Sequence, residues 1–314
     1  MIFGKYNFIN SFLNNAILPA NKGSTLRGAF GHAFKNTVCA IRNMTCDKCL
    51  LVQKCIYIKV FEPALVKNCL SDVKQMNSPP SPFILEPPLE TKTTFSKDDS
   101  FEFNLLLFGD INYNFPYFLY AVDQMGKNGV GKRIDGNRGQ FRLKYVKFQN
   151  DILYSSKTQL CNSIKDIDHL TLDFPITNYV DEKYRLKIEI VTPLRYKIDN
   201  KVSSELTFEN LIRIMLRRIS FLLSYYGSEN PKLDYSGIIK KSKQVNILEN
   251  NFQWLNWRRY SSRQDRKMKF GGLVGSVIYE GSIREFLPYV NFCSKVHIGK
   301  QTSFGMGKFN WEIL

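Results

Sequence analysis

The sequence predicts an α+β protein in which one β-α-β-β-α-β order occurs twice. Three observations carry that expectation. Alternating apolar residues mark strands over residues 101–108 and 184–191, one in each half of the chain. Apolar residues spaced three and four apart mark an amphipathic helix near the start of each half. The length, 314 residues, suits two domains of about 150 residues each. The repeated order is that of tandem ferredoxin-like domains, a group that includes RNA-recognition folds. The division falls between 1–160 and 161–314, within the stretch 150–172, and a glycine-rich loop at 299–307 belongs to the second domain.

The first half reads as follows. Residues 2–9 form a strand. Pro19 to Gly23 make a turn, and Ser24 or Thr25 caps a helix whose apolar face is Leu26, Ala29, Phe30, Ala33, Phe34 and Val38. A cysteine-rich segment at 39–55 follows. Residues 77–88 are proline-rich and read as a loop or an edge strand. In the strand at 101–108, Phe101, Phe103, Leu105 and Leu107 share one face. A short helix at 117–125 ends at Gly126, a basic glycine-rich loop follows, and residues 140–148 form a strand.

The second half repeats that order. Leu186, Ile188 and Ile190 alternate in a strand at 184–191. The helix at 207–226 is apolar at Phe208, Leu211, Ile212, Met215, Ile219, Leu222 and Leu223, with Gly227 past its end. Residues 252–262 and 268–279 pair as a hairpin around 264–267. A short helix at 283–292 precedes terminal strands at 296–298 and 308–313.

Composition narrows the function. Forty-four basic residues against 28 acidic give a formal net charge of +16, which points to a polyanionic partner, nucleic acid or an anionic membrane. At 44% hydrophobic and 23% charged the chain is not a disordered one. No stretch approaches about 18 uninterrupted apolar residues, so no membrane helix is expected. Asn7, Asn10, Asn14 and Asn15 interrupt what would be a signal peptide. The expected compartment is the cytoplasm.

Four of the seven cysteines crowd into one segment, Cys39-x6-Cys46-x2-Cys49-x5-Cys55. Four thiolates are the ligand set of a structural zinc, and the x2 spacing lets two of them share an ion. An iron–sulfur cluster could use the same ligands, and four buried thiols without metal is the plainer alternative. Cys69, Cys161 and Cys293 stand apart.

Two glycine-rich segments are basic. Gly126-Lys127-Asn128-Gly129-Val130-Gly131-Lys132 matches a nucleotide-binding P-loop until its last position, where Arg133 replaces the Ser or Thr that would hold Mg²⁺. What remains is a loop whose Lys127, Lys132, Arg133, Arg138 and Arg142 suit phosphates without base specificity. In the second, Gly299, Lys300, Thr302, Ser303, Gly305 and Gly307 combine a flexible backbone with hydroxyl donors for phosphate, or make a tight turn that only glycine allows. A third feature interleaves Trp254, Trp257, Arg258, Arg259, Tyr260 and Arg263. It reads as an RNA-facing strand pair or as an exposed hairpin whose tryptophans face the core. The only histidines are His32, His169 and His297, so no Ser/His/Asp or H-E-x-x-H set can be assembled.

Several motifs resemble one family. Leu26-Arg27-Gly28-Ala29-Phe30-Gly31-His32, the four cysteines and Tyr57-x3-Phe61-Glu62-Pro63 resemble the CRISPR-associated endoribonucleases that mature precursor CRISPR RNA, in the RAMP superfamily. So do 126–143, Thr192-Pro193-Leu194-Arg195, Arg217-Arg218-Ile219, 259–261 with 271–275, and 296–307. The cysteine cluster marks a subgroup. The resemblance implies tandem ferredoxin-like domains and cleavage within the CRISPR repeat. It implies metal-independent transesterification, in which the 2′-OH attacks the adjacent phosphate and leaves 2′,3′-cyclic phosphate and 5′-OH ends. It points to His32 as the proton-transfer group and to Lys35, one turn on, as a charge stabiliser, with His297 as the rival. An unperturbed imidazole titrates at about 6.5, which suits either role near neutrality. Its partners would be repeat RNA, the mature crRNA and CRISPR effector subunits.

Two other readings compete. One is a non-catalytic RAMP subunit that holds crRNA in an effector complex, since Pro19-x3-Gly23-Ser24-Thr25-Leu26-Arg27-Gly28 also resembles such subunits. The other is a zinc-bearing basic adaptor that binds nucleic acid generally.

Overall fold

The computed structural model describes the chain except residues 67–78, 163–165, 175–182, 199–200, 230 and 262–265. For 257–261 and 266–270 it describes the backbone alone. Cys69, Arg263 and part of the expected hairpin turn lie outside the described residues. The chain divides into units Met1–His169 and Leu170–Leu314, a later boundary than 160/161.

In the first unit β1 (Phe3–Phe12) leads through β2 (Ala16–Ile17) to α1 (Gly23–Val38). The short α2 (Ile56–Phe61) follows, then β3 (Phe83–Glu86), β4 (Thr94–Phe95) and β5 (Ser100–Phe108). After α3 (Phe115–Asn128) come β6 (Val130–Ile134), β7 (Asn137–Gly139), β8 (Phe141–Phe148), β9 (Asp151–Ser155) and β10 (Leu160–Cys161). The main sheet runs β10-β9-β8-β1-β5-β3. Its inner four, β8-β1-β5-β3, have the ferredoxin-like order, with β1 antiparallel to both neighbours.

Alternation explains the packing. Tyr6, Phe8 and Phe12 of β1 point to one face, where Phe8 stacks on Phe103 at 5.2 Å and Phe12 on Phe101 at 4.7 Å. The apolar stripe of α1 closes that face, with Phe34 4.8 Å from Phe118 of α3. The ambiguous segment 77–88 contains β3, whose four residues are all buried and which pairs only with β5 in the sheet.

One expectation fails here. Gly126 does not end the helix, and 126–132 is not an open loop. The helix α3 runs on to Asn128, and Gly126 faces inward, where a Cβ would collide with the Phe141 carbonyl. The chain reverses at Gly129 (φ 72°) into the β6–β7 hairpin.

In the second unit β11 (Tyr184–Leu194) precedes the small hairpin β12 (Lys197–Ile198) and β13 (Lys201–Val202). Helices α4 (Phe208–Tyr226) and α5 (Tyr235–Ser242) follow, then β14 (Asn246–Asn250), β15 (Gln253–Ser261) and β16 (Arg266–Gly281). The chain ends with α6 (Leu287–Val296) and β17 (Phe309–Ile313). The sheet order β14-β16-β11-β17 is again ferredoxin-like, and β15 pairs with the first half of β16. Thr207 caps α4 by accepting the Asn210 N–H. The strand expected at 296–298 is absent: α6 continues to Val296, and His297 (φ 54°) ends it.

Candidate nucleic-acid interface

The first unit presents His32 on the solvent face of α1. Its neighbours on the wheel explain the placement: Phe30, Gly31, Ala33 and Phe34 are buried, and His32 lies on the opposite side. Lys35 is half-buried on the flank of that face, its Nζ 5.3 Å from the Tyr57 ring centroid. Burial works to lower its pKa, but Cys46 and Tyr57 outweigh burial and hold it above the ordinary lysine value. Lys35 therefore leans toward the cysteine segment.

All four cysteines are free and half-buried. Cys46 sits within electrostatic reach of Lys35 and Cys39; burial first, then Glu62 and Cys39 push its thiol up against the pull of Lys35. Cys55 stands at the N-terminus of α2. The donor set suits zinc, yet among the described residues no three of His, Cys, Asp or Glu converge on a common point. As placed, the thiols do not make the expected four-ligand site. Cys46 turns back onto the end of α1, while Cys55 is fixed by the start of the next helix.

The basic residues of 126–142 are all exposed. Lys127 lies in the last turn of α3 and closes on Asp123 at 2.7 Å, an i,i+4 pair of modest strength. Lys132, Arg133 and Arg138 ride the β6–β7 hairpin and Arg142 lies on β8 opposite Ser11. These four have no ion-pair partner among the described residues.

In the second unit the glycine-rich segment docks on the end of β11. The Lys300 N–H donates to Arg195 O at 2.7 Å and the Gly307 N–H to Pro193 O at 3.2 Å. The Thr192 hydroxyl donates to Gly305 O at 2.7 Å and accepts the Lys308 N–H at 2.8 Å. Gly299 and Gly307 have φ of 84° and 75°, and a Cβ on Gly307 would overlap the Ile298 carbonyl. The amides of Phe304 and Gly305 are used within the loop. The glycines thus fold the loop into a tight turn against β11. Ser303 is buried, Thr302 half-buried, and Lys300 reaches solvent. His297 is only 1% exposed, and its Nδ1 donates to Met306 O at 3.1 Å. That contact makes it a strut of the loop.

Arg258, Arg259 and Tyr260 lie on β15 opposite Lys269, Met268 and Lys267. The Trp254 indole N–H donates to the Asn256 side chain at 2.8 Å. Sequence reasoning missed two cations near Lys300. Partial burial, then Arg217 and Lys197, draw the Lys300 pKa below the ordinary lysine value.

Residues 1–165 match the family model AF_1859_N, an N-terminal domain. Residues 188–309, from β11 through the glycine-rich loop, match the model of the CRISPR-associated endoribonuclease Cas6. The chain belongs to the family of the AF_1859_N model, which covers just over half of it, and its second unit is similar to Cas6. An uncharacterized protein of Archaeoglobus fulgidus is 22% identical over 300 residues, covering 93% of this chain and 92% of that one. Among solved structures, a Cas6 product complex gives a TM-score of 0.57 at 12% identity, covering 99% of this chain and 100% of that one. Thermus thermophilus Cas6 gives 0.53 at 11% identity, over 99% and 98%. A chain of a partial Cas6-RT-Cas1–Cas2 complex gives 0.61 at 10% identity, but this chain spans only 46% of its length. The shared feature is the Cas6 fold, two tandem ferredoxin-like units. No helix among the described residues is long and apolar enough to cross a membrane.

Proposed function

We propose that this chain acts as a Cas6 endoribonuclease and cleaves precursor CRISPR RNA within the repeat, in the cytoplasm, by metal-independent transesterification. The observation that carries the reading is the Cas6 endoribonuclease match over 188–309, the segment that holds α4 and the glycine-rich loop. RNA brings its own nucleophile. The 2′-oxygen bonds to phosphorus, the bond from phosphorus to the 5′-oxygen breaks, and the products are a 2′,3′-cyclic phosphate and a 5′-OH. The protein must move the 2′-OH proton, supply one to the leaving oxygen and offset charge on the phosphorane.

His32 is the proton-transfer group in this proposal. Its support is position: an exposed imidazole on the first helix, whereas His297 is buried and engaged with Met306. Lys35, one turn away, supplies positive charge. Arg133, Arg138, Arg142 and Lys300 bind the RNA backbone. Partners are the repeat RNA, the crRNA product and other CRISPR subunits, a reading supported by the product complex and the Cas6-RT-Cas1–Cas2 complex among the structural relatives. The cysteine segment takes a structural zinc, supported by spacing and by four free thiols, with the side chains moving from their described positions to share the ion.

Replacing the scissile 2′-OH with 2′-H tests the chemistry. The expected result is loss of cutting with binding retained. A deoxy substrate that is still cut removes the proposed nucleophile.

A further inference from the structure

We propose that Lys300, Arg217 and Lys197 form one phosphate site on the second unit, which takes a backbone phosphate of the RNA substrate; the proposal rests on the RNA-processing reading above. Three segments distant in sequence supply it: the glycine-rich loop, α4 and the β12–β13 hairpin.

Hydrogen bonds fix their approach. The Lys300 amide donates to Arg195 O at 2.7 Å, which sets Lys300 at the foot of the hairpin that starts with Lys197. The Arg218 guanidinium donates twice to Val296 O, at 3.2 and 3.0 Å. That pins the turn of α4 bearing Arg217 to the residues leading into the loop. Lys300, Arg217 and Lys197 are all exposed, and none has an ion pair among the described residues.

The three arginines of α4 differ in kind. Arg213 is closed on Glu209 at 2.7 Å. Arg218 is spent on the Val296 carbonyl. Arg217 alone is presented, its guanidinium 5.3 Å from the Phe221 ring centroid and so partly oriented in advance. Arg217 and Lys197 act on Lys300 as like charges, and among the described residues no carboxylate is named with them. Like charges held together raise the free energy of the empty protein. A phosphate relieves that repulsion and gains charge-assisted hydrogen bonds.

The test is repeat-RNA affinity over a salt series for wild type, for Arg217→Gln/Lys197→Gln and for Lys300→Gln. The control is Arg213→Gln, which removes the same charge from the same helix. The double variant should bind about ten-fold more weakly, and its salt slope should fall by about 0.7 per lost contact to single-stranded RNA. Arg213→Gln should stay within two-fold, and thermal melts should match throughout. Equal losses for Arg213→Gln and Lys300→Gln, each of which removes one charge, overturn the site in favour of a general positive field. Wild-type affinity and slope in the double variant and in Lys300→Gln also overturn it, while cleavage by wild type keeps the RNA-processing reading. A wild-type protein that neither binds nor cuts repeat RNA overturns that reading itself, and the site with it.

Discussion

The Lys35 ammonium stands over the Tyr57 ring, 5.3 Å from its centroid, and ties α1 to α2 beside the cysteine segment. His32, one turn back, has no such tether and faces solvent. The two are therefore expected to fail differently. His32→Ala should cut cleavage by about 10²–10⁴-fold, the usual contribution of a positioned proton-transfer group, with RNA affinity within a few-fold. Lys35→Ala should lower the melting temperature as well, by about 1 kcal/mol of stability for a lost cation–π contact. Single-turnover cleavage and thermal melts read both. Unchanged cleavage in His32→Ala would remove His32 from the proton-transfer role.

Gly28 and Gly307 invite opposite outcomes. Gly307 sits at φ 75° against the Ile298 carbonyl, so Gly307→Ala should cost about 1–3 kcal/mol and weaken RNA binding by loosening the loop. Gly28 lies inside α1, where a Cβ would meet nothing within 4 Å. Gly28→Ala should raise stability by about 0.5–1 kcal/mol. Denaturant titration checks both, and destabilisation by Gly28→Ala would contradict the described helix.

The cysteine segment calls for elemental analysis. The proposal expects about one zinc per chain, lost when two of the four thiolates are removed in a Cys46→Ser/Cys49→Ser variant. A folded, metal-free chain would leave Cys46 where it is described, beside Lys35.

The legible parts of the fold were those with a strong period. Alternation in β5 and β11, and three-four spacing in α1 and α4, followed from apolar residues alone. Gly126 was misread as a helix stop because its real constraint, the Phe141 carbonyl, lies on another strand. Strand β14 carries no signal, since Asn246–Asn250 is exposed on every residue and has no alternation to detect. The same limit applies to the candidate site. His32 and the basic hairpin could be named from local motifs. The grouping of Lys300 with Arg217 and Lys197 depends on a loop docking on β11, which no local pattern encodes.

The most direct test of the central claim is end-labelled repeat RNA incubated with the purified protein in excess EDTA and resolved on a denaturing gel. The proposed reaction predicts one discrete cut within the repeat, with a cyclic-phosphate end. Tight binding without any cut, in EDTA or in added divalent metal, would contradict it and leave a crRNA-holding subunit as the better account.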